Sequence, residues 1–209
     1  MPQPPILKIH EIFSSLQGEG LRQGEPTLFI RLTGCNLRCD FCDTRYAWEI
    51  GEDQTVEQIV DRARDLRRDF PCEWVCLTGG EPLLQDIGGL LQALKEASFK
   101  IQVETNATRP PVYPVDWFTA SPKPPEYALH PELGEAAREL KLVVSEELTA
   151  DVCLRLCRRI PAETPLILQP ESNQGWSIEK GLDLLRQVLR SGKTNVRFSP
   201  QLHKILDIP

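Results

Sequence analysis

The chain has no apolar run that approaches a membrane span, no surplus of basic residues and no even count of cysteines. Crossing a bilayer as a helix takes about 20 consecutive apolar residues, so no membrane anchor is expected. The opening MPQPPILKIHEIF has neither a basic leading region nor a long apolar stretch, so no secretory signal is expected and the cytoplasm is the expected location. Net charge is −6 and, apart from Arg64, Arg67 and Arg68, charges of both signs are interspersed. Without a basic stripe, neither nucleic acid nor a membrane surface is an expected partner. Seven cysteines in a chain with no export signal argue against a disulfide framework, and the odd total agrees. Free thiols, a metal site or an iron-sulfur cluster are left. No internal repeat is present.

What is there is enough for one sizeable core. At 209 residues, 41% hydrophobic and 26% charged, residues 1–209 are read as a single domain. Strand-like runs recur at Leu28–Leu32, Trp74–Thr78, Lys100–Glu104, Trp117–Ala120, Leu140–Val144, Leu166–Gln169 and Val196–Phe198. Helix-period segments lie between several of them. In TVEQIVDRARDLRR, Thr55 and Gln58 form a capping-box pattern, and Val56, Ile59, Val60, Ala63 and Leu66 share a face. Ile87–Ala97, Ala150–Arg159 and Ile178–Arg190 are the others. Alternation of this kind makes an α/β fold with a mostly parallel sheet, whose ligand sites lie at the carboxyl ends of the strands. A closed eight-unit barrel takes about 250 residues, so some six units in this length predict an incomplete, open (βα)6-type barrel. The Pro-rich region Arg109–Pro131 reads as a strand with stiff loops, and Gly51–Gln54 as a short polar connection.

Cys35, Cys39 and Cys42 are spaced C-x3-C-x2-C on the loop that follows the strand LFIRLT, at a carboxyl end. A wrapping loop lets three thiolates converge on one object, and three thiolates leave one iron of a four-iron cluster open. A zinc site completed by Cys72, Cys76 or a histidine fits the same spacing. At the end of the next strand stands LTGGEPLL, where Gly79 and Gly80 let backbone approach a ligand closely, or simply make a strand-to-helix turn.

Both motifs resemble those of radical S-adenosylmethionine enzymes. There the three-cysteine loop holds a 4Fe-4S cluster, the amino and carboxylate groups of S-adenosylmethionine fill the open iron, and the backbone of the GGEP turn meets the methionine amino group. With EIFSSLQGEG upstream, VETNAT, ASPK, LQPES and SPQLHK, the likeness spans nearly the whole chain and narrows to the 7-carboxy-7-deazaguanine synthase family. That resemblance implies a queuosine-pathway lyase. Its substrate is 6-carboxy-5,6,7,8-tetrahydropterin, which contracts its ring after hydrogen abstraction at C6 and loses ammonia. It also implies an N-terminal substrate-binding segment and a C-terminal tail that closes the site.

Carried over by position, Leu16, Gln17, Gly18, Arg31, Thr78 and Pro209 would meet the substrate. Phe41, Cys42, Asp43, Gly80, Ser121, Pro122, Lys123, Gln169, Pro170, Glu171 and Ser172 would surround S-adenosylmethionine. Thr44 would ligate Mg2+. Glu19 and His203 are the candidates for the proton donor of the ammonia step. The resemblance further implies a one-electron donor such as flavodoxin or ferredoxin, and a homodimer.

The nearest rival within the radical enzymes is a glycyl-radical-enzyme activase, which shares the cysteine loop but leaves LQGEG and QLHK unexplained. A non-catalytic iron-sulfur or zinc module is the rival from another class. Cys153 and Cys157 are expected to pack as small hydrophobes, Cys72 and Cys76 as core, and His10 and His130 to be structural. Replacing any one of Cys35, Cys39 or Cys42 by Ala should abolish reconstitution of the cluster. Full iron content in any of the three variants, measured by metal analysis and the visible spectrum, would remove that cysteine from the assignment.

Overall fold

The computed structural model describes residues 6–111 and 113–209. The first five residues, part of the stretch read for an export signal, and residue 112 in the Pro-rich region lie outside the described residues. A long first strand, β1 (Ile6–Leu16), pairs antiparallel with β2 (Pro26–Leu32) on one side and with β3 (Glu52–Thr55) on the other. From β2 onward every ladder is parallel. In chain order come β4 (Trp74–Gly79), β5 (Lys100–Thr105), β6 (Trp117–Ala120), β7 (Ala137–Val144), β8 (Leu166–Pro170) and β9 (Val196–Phe198). The sheet ends at β3 and β9, which do not pair, so it is open as the chain length implied.

Helices fill the crossovers. α1 (Val56–Asp69) starts on the capping box foreseen from Thr55 and Gln58: Thr55 Oγ1 accepts from Gln58 N at 3.2 Å, and Gln58 Oε1 accepts from Thr55 N at 2.8 Å. α2 (Gly88–Glu96) precedes β5, α3 (Pro131–Ala136) precedes β7, α4 (Ala150–Cys157) precedes β8 and α5 (Gly175–Arg190) precedes β9. A short α6 (Leu202–Leu206) follows β9. Three features depart from the sequence reading. Glu52–Gln54 is not a plain connection but most of β3, because the free edge of β1 supplies hydrogen-bond partners that outweigh the poor strand propensity of EDQT. α3 and α6 are one-turn helices too short to show a period.

The strands have two unlike faces. Leu28, Ile30 and Leu32, Val75 and Leu77, Ile101 and Val103, Leu140, Leu142 and Val144, and Leu166 and Leu168 pack with helix residues such as Ile59, Leu90, Leu94, Leu156 and Val188 into one core. The alternate positions are mostly polar: Arg31, Thr78, Gln102, Glu104, Thr119, Ser121, Glu139, Lys141 and Gln169. In a closed eight-stranded barrel the interior is filled with branched aliphatic side chains. Here the inner face is left for chemistry.

At the carboxyl end of β4 the backbone closes on the loop after β2. Gly79 has φ +141°, and a Cβ there would strike the Leu32 carbonyl oxygen, while a Cβ on Gly80 would strike that of Gly34. Gly80 N donates to Leu32 O (3.1 Å) and Glu81 N to Gly34 O (2.7 Å). Gly79→Ala combines a backbone conformation that disfavours a side chain with a clash against main chain. It should lower unfolding stability by about 2 kcal/mol, read as a lower denaturation midpoint; an unchanged midpoint would show that the strand ends have room to separate.

Candidate active site

The cysteine loop leaves β2 through Gly34, whose N–H donates to Ala47 O at 3.0 Å. Cys35, Cys39 and Cys42 are all free, half-buried and part of one cavity wall. Cys42 N closes a turn on Cys39 O (3.1 Å), and Leu37 N reaches Cys35 Sγ at 3.4 Å. Burial pushes the Cys35 and Cys39 thiols up, with the Lys123 ammonium acting against it at Cys39. Iron would take all three as thiolates.

Glu81 anchors this loop. Its side chain is fully buried and accepts from Leu83 N (3.0 Å), Thr105 Oγ1 (2.7 Å) and Asn106 N (2.6 Å), which ties the end of β4 to the end of β5. Burial pushes the Glu81 carboxyl up, and the three donors work against it. Asn106 Nδ2 in turn donates to Asn36 Oδ1 (2.9 Å), inside the cysteine loop. The sequence motif drew attention to its glycines; its glutamate holds the frame.

Of the residues singled out by sequence, all but Pro122 and Pro170 line this single cavity at the strands' carboxyl ends. Those two are buried beside their neighbours, Pro122 just after β6 and Pro170 at the last position of β8. Thr44 Oγ1 stands 3.6 Å from Cys42 Sγ. Lys123 Nζ donates to Ser121 O (2.6 Å) and Oγ (2.5 Å), and burial pushes its ammonium down. Gln169, 3% exposed at the end of β8, has an Oε1 without a partner among the described residues. Ser172 adopts a left-handed φ of 48° and accepts from Lys204 Nζ at 2.8 Å.

Toward β1 the wall carries charge. Arg31 Nε is held by Glu11 at 2.6 Å, which leaves the terminal guanidinium nitrogens for another acceptor. Gln17 lines the cavity, but its amide is engaged within the wall: Nε2 donates to Gln102 Oε1 (3.0 Å) and Glu104 Oε1 (3.2 Å), and Oε1 accepts from Glu19 N (3.1 Å). Glu19 is salt-bridged to Lys141 and accepts from Gln201 Nε2 at 2.7 Å. Burial opposes it, but the Lys141 ammonium and these hydrogen bonds hold the Glu19 carboxyl down to about 2. Such a carboxylate accepts and does not donate near neutrality, which weighs against Glu19 as a proton donor. His203 packs on Gly18, where a Cβ would strike its Nδ1, and its ring lies with Glu19 and Asp43 in a trio whose ligand atoms come within 4.8 Å of one another. The main-chain oxygen of Pro209 accepts from Ser15 Oγ at 2.7 Å.

Glu81, Glu104, Lys141, Gln201 and Lys204 were not singled out from sequence. Two of them had a visible signal: Glu104 in KIQVET and Lys141 in ARELKLVV are charges at positions that alternate with the buried apolar residues of their strands. Gln201 and Lys204 had none, because their partners are distant in sequence. Gln201 Nε2 also reaches Asp43 Oδ2 (3.1 Å), and Lys204 Nζ pairs with the same oxygen (3.0 Å).

The residues fit the groups that the motifs imply. Three thiols on one loop suit a cluster with an open iron. With the Gly80 N–H engaged by Leu32, its carbonyl is the group left to accept from an amino function, and the unpartnered Gln169 Oε1 is a second acceptor in the same wall. Thr44 and the substrate side of the cavity offer the hard oxygens that Mg2+ prefers.

The Radical SAM superfamily model matches residues 29–118, from β2 and its cysteine loop to β6. The 7-carboxy-7-deazaguanine synthase of Aquifex aeolicus is 34% identical, with 97% of this chain and 94% of that one covered. That of Bacteroides thetaiotaomicron is 38% identical, with 96% and 98% covered. The crystal structure of QueE from Escherichia coli superposes with a TM-score of 0.77 at 27% identity, covering 95% of each chain. The three-cysteine loop, the open parallel sheet and full-length likeness to these enzymes place the chain in the 7-carboxy-7-deazaguanine synthase family of the radical S-adenosylmethionine superfamily.

Proposed function

We propose that the protein is a 7-carboxy-7-deazaguanine synthase. It converts 6-carboxy-5,6,7,8-tetrahydropterin to 7-carboxy-7-deazaguanine and ammonia for 7-deazapurine (queuosine) biosynthesis. The observation that carries this reading is one cavity that runs from three cluster-type cysteines to Arg31, lined by residues nominated from both ends of the chain. When bound, the cluster and S-adenosylmethionine supply a hydrogen-abstracting radical, chemistry that belongs to the cofactor.

The chain's own residues hold and orient. Arg31, braced by Glu11, offers a planar fork to the substrate carboxylate. Leu16, Gly18 and Thr78 shape the same end, with Gln17 bracing the wall behind it. Phe41, Asp43, Gly80, Ser121, Lys123, Gln169, Glu171 and Ser172 would enclose S-adenosylmethionine, with Pro122 and Pro170 setting the course of their loops. Thr44 would hold Mg2+ together with substrate oxygens and water, and the ion would polarise the substrate as a Lewis acid. Since Glu19 is kept ionised, His203 is the better placed group to give a proton in the loss of ammonia.

We read residues 1–209 as one domain whose C-terminal segment covers the site. Leu202 N donates to Gly18 O (2.8 Å), Gln23 Nε2 to Pro200 O (2.6 Å) and Asn173 Nδ2 to Gln201 O (2.8 Å). A mouth strapped in this way suits a small molecule and keeps water out of radical chemistry. A flavodoxin or ferredoxin as electron donor, a homodimer and a cytoplasmic location complete the reading. No helix among the described residues is long and apolar enough to cross a membrane.

Anaerobic incubation with the carboxypterin, S-adenosylmethionine, Mg2+ and a reductant should yield the deazaguanine and ammonia in equal amounts; absence of the deazaguanine from a cluster-replete sample would refute the reading. Thr44→Ala should keep its iron yet need roughly tenfold more Mg2+ for half-maximal rate. An unaltered magnesium titration would show that Thr44 is not a ligand.

A further inference from the structure

The arm of the cysteine loop between Cys35 and Cys39 is caught in a closed ring of side-chain hydrogen bonds. Asn36 Nδ2 donates to Thr108 Oγ1 (2.9 Å), Thr108 Oγ1 donates to Asn106 Oδ1 (2.7 Å), and Asn106 Nδ2 donates back to Asn36 Oδ1 (2.9 Å). Each group gives one proton to the next and accepts one from the last, so a change in any one of them leaves a pair unmatched. Asn106 and Thr108 stand on a turn at the carboxyl end of β5. Ala107 between them is buried with a left-handed φ of 65°, and Thr108 N donates to Asn106 Oδ1 at 3.1 Å. Such a conformation costs a residue with a side chain about 1–3 kcal/mol and persists where the surroundings enforce it, commonly at functional sites. Asn106 is itself fixed, its N–H donating to Glu81 Oε2 at 2.6 Å.

The other anchors of the cysteine loop lie at its two ends. Gly34 N donates to Ala47 O before the first cysteine, and Asp43 meets Gln201 and Lys204 after the last. Arg38 pairs with Glu49, and Arg45 donates to the Asp40 carbonyl, both within the loop. From Cys35 to Cys42, Asn36 is the one residue whose hydrogen bonds, among the described residues, reach beyond residue 49. A hydrogen bond made by an exposed side chain adds little to global stability. What this one fixes is the place of the arm.

We propose that Asn36, Asn106 and Thr108 are positioning residues, a clasp that holds the Cys35–Cys39 arm against the end of β5 and so slows the loss of iron from the three-cysteine site. This rests on the cluster reading of Cys35, Cys39 and Cys42. None of the three is an iron ligand. Release of a cluster requires a thiolate to leave and its stretch of chain to swing aside, and the clasp opposes that swing between the first two thiolates. It acts through the backbone of the cysteines, as the partners of metal ligands do when they tune metal affinity.

The test follows iron release from the full chain, reconstituted with its cluster and held without oxygen, to an excess of a coloured iron(II) chelator with dithionite present. Thr108→Val keeps the shape and branching of the side chain but removes the hydroxyl that joins the two amides; it should release iron about tenfold faster than the native protein. Thr108→Ser restores the hydroxyl and should release iron at close to the native rate. A native rate in Thr108→Val, or a Thr108→Ser as fast as Thr108→Val, would overturn the proposal. Asn36→Ala trims an exposed side chain from the other side of the ring, so the test does not depend on how Thr108→Val folds. It should speed release by a similar factor while the iron-free chain unfolds at the native midpoint. A midpoint lowered in step with the faster release would replace the clasp by a general structural role. The double variant should be no faster than either single one, since both open the same ring, and multiplying effects would count against it. Failure of the native protein to take up a four-iron cluster would overturn the cluster reading itself, and the proposal with it.

Discussion

The constraint on which everything else depends is the division of labour between the two faces of the parallel strands. Side chains alternate with a period of two, so a strand that buries Leu140, Leu142 and Val144 against helices must send Glu139, Lys141 and Val143 the other way. Repeated across β2 and β4 to β8, that rule assigns the hydrophobic driving force to the outer layer and leaves the inner face without a packing duty. A sheet closed on itself would have to fill that interior. An open one need not, and its interior can carry charged and amide groups that are satisfied by one another and by a ligand.

A polar interior has its own requirement, since buried charges must be paired and buried donors satisfied. Glu81 meets three donors and so locks the ends of β4 and β5 beneath the cysteine loop. Lys141 lies between Glu104 and Glu19 and joins the middle of the sheet to the turn after β1. Gln201 and Lys204 reach Asp43, the residue next to Cys42, and so join the C-terminal segment to the cluster loop. The three ends of the site are thus held by side-chain contacts between segments far apart in the chain. Of the five buried side-chain atoms without a partner among the described residues, two, Gln169 Oε1 and Gln201 Oε1, belong to residues of the cavity wall. That is where a ligand's donors would complete the pairing.

Glycine supports the same arrangement where strand ends must touch. Gly79 and Gly80 bring β4 against Leu32 and Gly34, and Gly18 makes room for the ring of His203. In each case the missing Cβ serves an approach between protein segments.

The sequence by itself determined the parallel strands and the longer helices between them, the capping box of α1, and the three cysteines with the GGEP turn. All of these are local, written in periodicity, spacing and residue type within one short stretch. It also carried, unremarked, the alternate-position charges of β5 and β7 that mark the inner wall. Only the tertiary structure decided that EDQT is a strand, since its hydrogen-bond partners lie on β1 more than forty residues away. Only it showed that Gln17 braces the wall, that Glu19 is held ionised by Lys141, and that Gln201 and Lys204 secure Asp43. Those facts depend on which distant groups meet in a low-dielectric interior, where a side chain's protonation and free valences are set by its neighbours and not by its own identity.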